Sequence, residues 1–298
     1  MDIPRAAHWL IARRAYKPGW NVLWTLARWR WADREVKTKL HGQRAVINFA
    51  NPYPTIASRI PEYNRPQILA VRAAAEALGR PVHVVDVGAA MGDTALKLYS
   101  ECRNQIASMT CVEGNAKFAR MLRSNLSVHG AIVRECMLSD SEGTAPELVH
   151  NQHPGTASAT GTARVPTTTL DQLLGGETVD VLKIDTDGYD GLVLAGGRAV
   201  LQQRPVVLFE WHPVACGVAG TDERLAFDVL RDYPCAVWFT KYGVFSHVTY
   251  GIDNAMLDAM AKICLEADLP DWHYDVIALP PDSRVSLTRL ASTGSARG

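Results

Sequence analysis

Between residues 82 and 213 short apolar runs alternate with segments of helical length, and that alternation leaves few folds open. The runs are Val82–Val87, 107–112, 131–136, Val179–Ile184 and Pro205–Glu210. All are too short for a buried helix, and Val82–Val87 and Val179–Ile184 are too apolar for a strand with one wet face. Such runs are parallel strands covered on both sides by helices, so the spacing predicts an α/β fold with a doubly wound, mostly parallel sheet. Intervening helices are expected at 92–102, 115–129, 168–174 and 189–203. Beyond 213 the pattern gives helices at 221–232 and 254–266, with strands at 235–240, 244–250 and 273–279. Residues 141–166 are small, polar and aperiodic and read as a long mobile loop. Residues 282–298 read as a disordered tail.

The segment before this domain has a different character. Residues 1–45 carry ten Lys/Arg against Asp2, Asp33 and Glu35, and five of the eight tryptophans, Trp9, Trp20, Trp24, Trp29 and Trp31. Over the whole chain 31 basic residues balance 31 acidic ones, which gives no reason to expect a nucleic-acid partner. Helical spacing of the tryptophans predicts amphipathic helices at 5–16 and 20–37, a helical extension spanning 1–45. Two partners suit it: the main domain or a second subunit, giving a homo-oligomer, or a membrane interface, where Trp and Arg are favoured. Because its Trp/Arg pattern belongs to an interface, this segment is expected to be dispensable for ligand binding but not for behaviour in the cell. Prolines 52, 54, 61 and 66 make 46–66 an extended connector, followed by a helix ending at Gly79, so 46–80 links the extension to a domain at 81–281.

Other classes fall away quickly. Six cysteines without a Cys-x-x-Cys pair argue against a zinc ribbon and a disulfide framework. No apolar stretch reaches the ~18 residues of a membrane span, and Arg13 and Arg14 interrupt any signal-peptide core. The chain reads as cytoplasmic, with a peripheral place on the inner membrane face as the variant that the Trp/Arg segment would favour.

Ligands of open α/β sheets bind at the carboxyl ends of the strands, so the residues just after each apolar run carry the information. The first run ends in Asp86-Val87-Gly88-Ala89-Ala90-Met91-Gly92, a glycine turn with Gly-x-x-x-Gly spacing rather than the Gly-x-Gly-x-x-Gly of a dinucleotide loop. The second ends in Glu113-Gly114-Asn115, which places an acid 21 positions after Gly92, where it could accept both hydroxyls of a ribose or stand exposed at a strand end. Asp140 follows the third run, where it could meet an adenine edge or merely start the loop. The fourth gives Asp185-Thr186-Asp187-Gly188 and the fifth Glu210-Trp211-His212. Charges that end apolar strands are costly unless used or paired. Asp187 could also cap the following helix.

The elements VVDVGAAMGDTALKL, CVEGN, TTTLDQLL, VLKIDTDGYDGLVLAGGRAVL and PVVLFEWHP, in this order over 82–213, closely resemble the FkbM-type family of S-adenosylmethionine-dependent methyltransferases. HGQRAVINFANPYP and HYDVIALP also look like members found with cell-surface glycan biosynthesis. The chain has Asp187 where many members carry Glu. The resemblance implies a class I, Rossmann-like methyltransferase fold and O-methylation of a hydroxyl on a sugar in a glycan or on a natural product. Its cofactor positions fall on Asp86, Gly88, Gly92, Glu113 and Asp140, with Ala89 and Asn115 in the same turns and Asp185 at the end of the fourth run. An acceptor alcohol needs a general base, and His212 or Asp185, beside Glu210, could serve. Alternatively Asp185, Asp187, Glu210 and His212 could hold Mg²⁺. The competing readings are a nicotinamide-dependent oxidoreductase, which lacks its glycine spacing here, and a non-catalytic membrane-associated scaffold.

Overall fold

The computed structural model describes His8, Lys17 and residues 19–150, 157–266 and 272–291. Eight strands form the central sheet: β1 (Val82–Val87), β2 (Ile106–Glu113), β3 (Ile132–Glu135), β4 (Val181–Ile184), β5 (Val206–Trp211), β6 (Cys235–Thr240), β7 (Phe245–Tyr250) and β8 (Tyr274–Leu279). Their spatial order is β3-β2-β1-β4-β5-β8-β6-β7. Neighbours from β3 through β5 run parallel, whereas β8 is antiparallel to both β5 and β6, and β7 to β6. The doubly wound, mostly parallel sheet is therefore present. Side chains alternate across it. Val82, Val84, Val206 and Leu208 enter one core, and Val85, Val87, Val207 and Phe209 enter the other. The central strands are buried on both faces and so are apolar at most positions, which is why their runs stand out, whereas no residue of the edge strands β3 and β7 is fully buried.

Chain order reverses between β1 and β4: the chain builds outward from β1 to β3, then returns to β1's other side. That switch point opens a crevice above the carboxyl ends of β1 and β4. Helices α1 (Trp20–Trp31), α2 (Arg65–Leu78), α3 (Asp93–Glu101) and α4 (Ala116–Leu126) are the ones the site and the amino-terminal segment depend on.

Six expectations need correction. The helix expected over 20–37 stops at Trp31, and Glu35–Leu40 pairs antiparallel with Gln43–Asn48. His41 and Gly42, both at positive φ, make the two-residue turn that a twisted hairpin needs. Val36 and Leu40 are buried while Lys37 and Lys39 face water, so a period of two wins over the tryptophan spacing. The extension over 1–45 is thus not wholly helical, and the part expected over 5–16 lies, His8 apart, outside the described residues. The connector over 46–66 completes this hairpin and adds a short helix, Tyr53–Arg59.

The supposed loop at 141–166 is a second antiparallel hairpin, Gly143–His150 with Ala157–Thr168, whose long strand also pairs with Met137–Leu138. Pro146 sits at a register shift and Gly161 faces Glu147, where a Cβ would come within 2.0 Å of its side chain. Such residues disguise a strand from any propensity reading. Residues 151–156 lie outside the described set. The helix expected over 189–203 is two pieces, Asp190–Ala195 and Arg198–Gln202, parted at Gly196-Gly197. The helix expected over 221–232 is the shorter Leu225–Val229, and an unforeseen helix, Pro213–Ala219, precedes it. Finally, the expected disorder from 282 onward gives way to a helix at Leu287–Ala291 that buries Leu290 against the domain; residues 292–298 lie outside the described set.

Candidate active site

Sheet register builds the site. Val87 of β1 pairs with Val112 of β2 and with Ile184 of β4, and Ile184 pairs with Phe209 of β5. One residue further on, Glu113, Gly88, Asp185 and Glu210 stand side by side, and Glu210 pairs with Asp275 of the antiparallel β8. Neighbouring strands lie about 4.8 Å apart, so these form one row across the sheet's carboxyl edge. Gly88, at φ +73°, is the gap in that row, and a Cβ there would lie 1.7 Å from the Asp185 carbonyl oxygen. Only glycine lets the two strand ends approach this closely.

Above the gap lies a cleft of about 960 Å³, including its open mouth. Glu113, Asp185 and Asp187 supply carboxylates to its wall, and Phe118, Leu138 and Leu148 supply apolar surface. Glu113 is buried. Its Oε2 accepts from the Ala90 amide at 2.8 Å and its Oε1 from the Asn115 amide at 2.7 Å. Burial nevertheless pushes its pKa up to about 7. Asn115 caps α4, accepting from the amides of Lys117 and Phe118.

The remaining expected cofactor positions take supporting places. Asp86 lies under the cleft, fully buried, paired with Lys183 at 2.9 Å. Burial works against the Lys183 ammonium, but Asp86 and Asp185 together hold its pKa above the ordinary lysine value. Lys183 also reaches Asp185 at 3.4 Å and the Gly88 carbonyl at 3.3 Å, so it ties the floor of the cleft to both strand ends. Ala89 is buried in the turn, and Gly92 starts α3 against Leu122, whose side chain a Cβ would meet at 2.8 Å. Asp140 is exposed beside the small hairpin and does not line the cleft.

On the other flank the acids crowd together. Burial first, then neighbouring carboxylates, raise Asp187 to about 8 and Asp190 to about 6, and push Glu210 well above the usual range. Asp275 rises to about 7 from burial and the Asp185 charge. Asp187 does not cap a helix. The structural carboxylate in this turn is Asp190, which accepts from the Thr186 amide and hydroxyl and from the Glu210 amide, bracing the ends of β4 and β5.

His212 caps the helix Pro213–Ala219, its Nδ1 accepting from the Ala215 amide at 3.2 Å. That bond places the neutral ring's proton on Nε2, making His212 a donor rather than a ready base. A second imidazole, His273, contacts Glu210 Oε2 through Nε2 at 3.3 Å. Glu210, His212 and His273 have ligand-type atoms within 4.8 Å of one another. Asp185 and Asp187 are not part of that group, so the magnesium set read from the sequence is not assembled as a unit.

His273, Asp275 and Asp190 were missed in the sequence, as was Tyr63 from the connector. Tyr63 lines the cleft, and burial with Asp185, Glu210 and Asp275 nearby raises its hydroxyl's pKa.

These raised carboxyls set a pH dependence. An acid whose folded pKa exceeds its unfolded value binds its proton more tightly when folded, so stability is lost as pH rises through the folded value. That loss begins above the ordinary carboxyl values of 3.8 and 4.5 and is complete past about 7 for Glu113 and Asp275 and about 8 for Asp187, so only its last part lies above pH 7. His41, held down to about 4 by burial, opposes it only below the ordinary imidazole value of 6.5 and plays no part above pH 7. The ligand-free protein is expected to melt at a lower temperature at pH 8.5 than at pH 7. A calorimetric melting temperature that holds or rises over this interval contradicts the buried-acid account.

Residues 86–233 match the family model described as the methyltransferase FkbM domain. No curated protein matches the chain. Among solved structures it is similar to a methyltransferase FkbM from Methylobacillus flagellatus KT, at 12% identity and a TM-score of 0.39, over 66% of this chain and 43% of that one. It is similar to an O-methyltransferase from Bacillus cereus in complex with SAH, at 13% identity and a TM-score of 0.40, over 73% and 79%. A precorrin-6y C5,15-methyltransferase from Geobacter metallireducens GS-15 aligns at 12% identity and a TM-score of 0.37, over 70% and 87%. The chain spans less than half the length of the first of these.

Proposed function

We propose that this chain, an S-adenosylmethionine-dependent methyltransferase of the FkbM family, methylates a hydroxyl of an uncharged small molecule or glycan. The observation behind this reading is the row Glu113–Gly88–Asp185–Glu210–Asp275, which gives one cleft a ribose-type acceptor at one end and an acid-rich wall at the other.

The residues suit the cofactor. Each Glu113 oxygen takes one backbone amide and keeps a lone pair for a diol hydroxyl. Phe118, Leu138 and Leu148 offer an apolar slot for an adenine ring, and Asp185 offers negative charge to a sulfonium. When bound, S-adenosylmethionine supplies an electrophilic methyl. The protein's share is to align an acceptor oxygen and take its proton as the carbon–sulfur bond breaks and the carbon–oxygen bond forms. Asp185 takes that proton in this reading: it lines the cleft, its side chain is 41% exposed, and Lys183 lies 3.4 Å from it. Glu210 and His273 stand behind it and hold the acidic wall. With one lysine already engaged among these carboxylates, the cleft disfavours phosphorylated or carboxylated acceptors.

Two measurements test this. The chain is incubated with S-adenosylmethionine and a panel of neutral sugars, phosphosugars and polyketide alcohols, and products are read by mass spectrometry. Methyl ethers on neutral acceptors are expected; turnover confined to anionic ones, or methylation at nitrogen or carbon, refutes the acceptor class. Glu113→Ala is expected to weaken S-adenosylhomocysteine binding by about ten- to a hundredfold, because a charge-assisted contact to ribose is lost. An unchanged calorimetric dissociation constant removes Glu113 from the cofactor site.

A further inference from the structure

Helix α1 is apolar on both sides. Its inner face packs on the domain: Ala27 is buried, and Trp24 and Trp31 lie 5.4 and 5.7 Å, ring to ring, from Phe49. At about 100° per residue, Val22, Leu23, Leu26 and Trp29 fall on the opposite arc. They are 57%, 48%, 58% and 86% exposed. A contiguous apolar face left exposed on an already packed helix marks a contact surface.

Charge narrows what covers it. Arg30 falls inside the same outer arc, and Arg34, Lys37, Lys39 and Arg44 continue as exposed cations along the hairpin that follows. The two acids of this stretch are neutralised by the domain itself, Asp33 by Lys117 at 2.9 Å and Glu35 by Arg120 at 2.7 Å. A second copy docked on this face through a two-fold axis would set like charge against like. The complement must be both apolar and anionic.

We propose that α1 seats the protein on an anionic lipid bilayer, lying in the headgroup plane with Val22, Leu23, Leu26 and Trp29 turned into the acyl boundary. Trp29 is suited to that depth, since indole favours the interface, and the flanking arginines and lysines meet anionic headgroups. No helix among the described residues is long and apolar enough to cross a membrane, which fits a seat rather than a span. The cleft and its residues play no part in this contact, so it stands apart from the methyl-transfer reading.

The test uses the full chain and extruded vesicles of phosphatidylcholine, with or without phosphatidylserine. Co-sedimentation with the phosphatidylserine vesicles, weakened by about 0.5 M salt and absent with phosphatidylcholine alone, is the expected result. The pair Leu26→Ser and Trp29→Ala is expected to lower vesicle affinity by about tenfold or more, as the apolar part of the contact is lost. S-adenosylhomocysteine affinity and melting temperature, which should hold, show that the variant is folded. No selectivity for phosphatidylserine vesicles overturns the proposal, as does a concentration-dependent dimer that the same variant dissolves.

Discussion

Replacing Asp185 by Asn is expected to lower kcat by about 10²–10⁴, the usual worth of a positioned general base. The change keeps the side chain's size and leaves the 2.9 Å pair between Lys183 and Asp86 in place, so the fold should survive. S-adenosylhomocysteine affinity should change far less than turnover, because Glu113 stands at the cleft's opposite end. His212→Asn is the matched control. Asn is a strong helix cap, so the Pro213–Ala219 helix keeps its first-turn acceptor, and activity is expected to stay within about threefold. Pre-steady-state turnover and calorimetry on both variants decide the matter. If His212→Asn falls as far as Asp185→Asn, the imidazole is the base and its cap bond must break during the reaction.

The second large effect is on stability. Lys183→Met strands Asp86, which is fully buried, without a counter-ion. Breaking a buried pair from one side costs about 3–5 kcal/mol, a large part of a typical domain's margin. Replacing both members by apolar residues is often close to neutral, so adding Asp86→Leu to Lys183→Met should restore most of the loss. Urea denaturation of the single and double variants measures this. A single variant within about 1 kcal/mol of the parent would mean that the pair does not hold the cleft's floor.

What could be read from the chain follows from what each element buries. Strands β1, β2, β4 and β5 were legible because their apolar side chains fill both cores, and the end residues Glu113, Asp185 and Glu210 were legible because parallel strands present the same end together. His273 and Asp275 escaped for the complementary reason. They open β8, which runs antiparallel to β5, so its beginning rather than its end stands at the acidic edge. Tyr63 arrives from outside the sheet, where no strand pattern marks it. The hairpins were hidden differently. In Glu35–Leu40 the polar alternation lay directly after a tryptophan-rich helix, and in Gly143–His150 and Ala157–Thr168 Pro146 and Gly161 masked the strand character. The position of the acid-rich row was visible; which acid braces, which pairs and which faces the cleft was not, because those roles depend on contacts such as Asp190 with the Glu210 amide.

The order of the central sheet also governs how the chain can be made. Strands β1, β2 and β3 are translated consecutively and are mutual neighbours, so they can pair early, but the other edge of β1 has no partner until β4 emerges. Between Glu135 and Val181 a ribosome takes about 2–9 s. Throughout that interval the half-built sheet presents the apolar edge of Val84, Val85 and Val87 as an open template. The same return crossing that creates the crevice therefore imposes a vulnerable interval on every nascent molecule, during which a neighbouring polysome product can take the place reserved for β4.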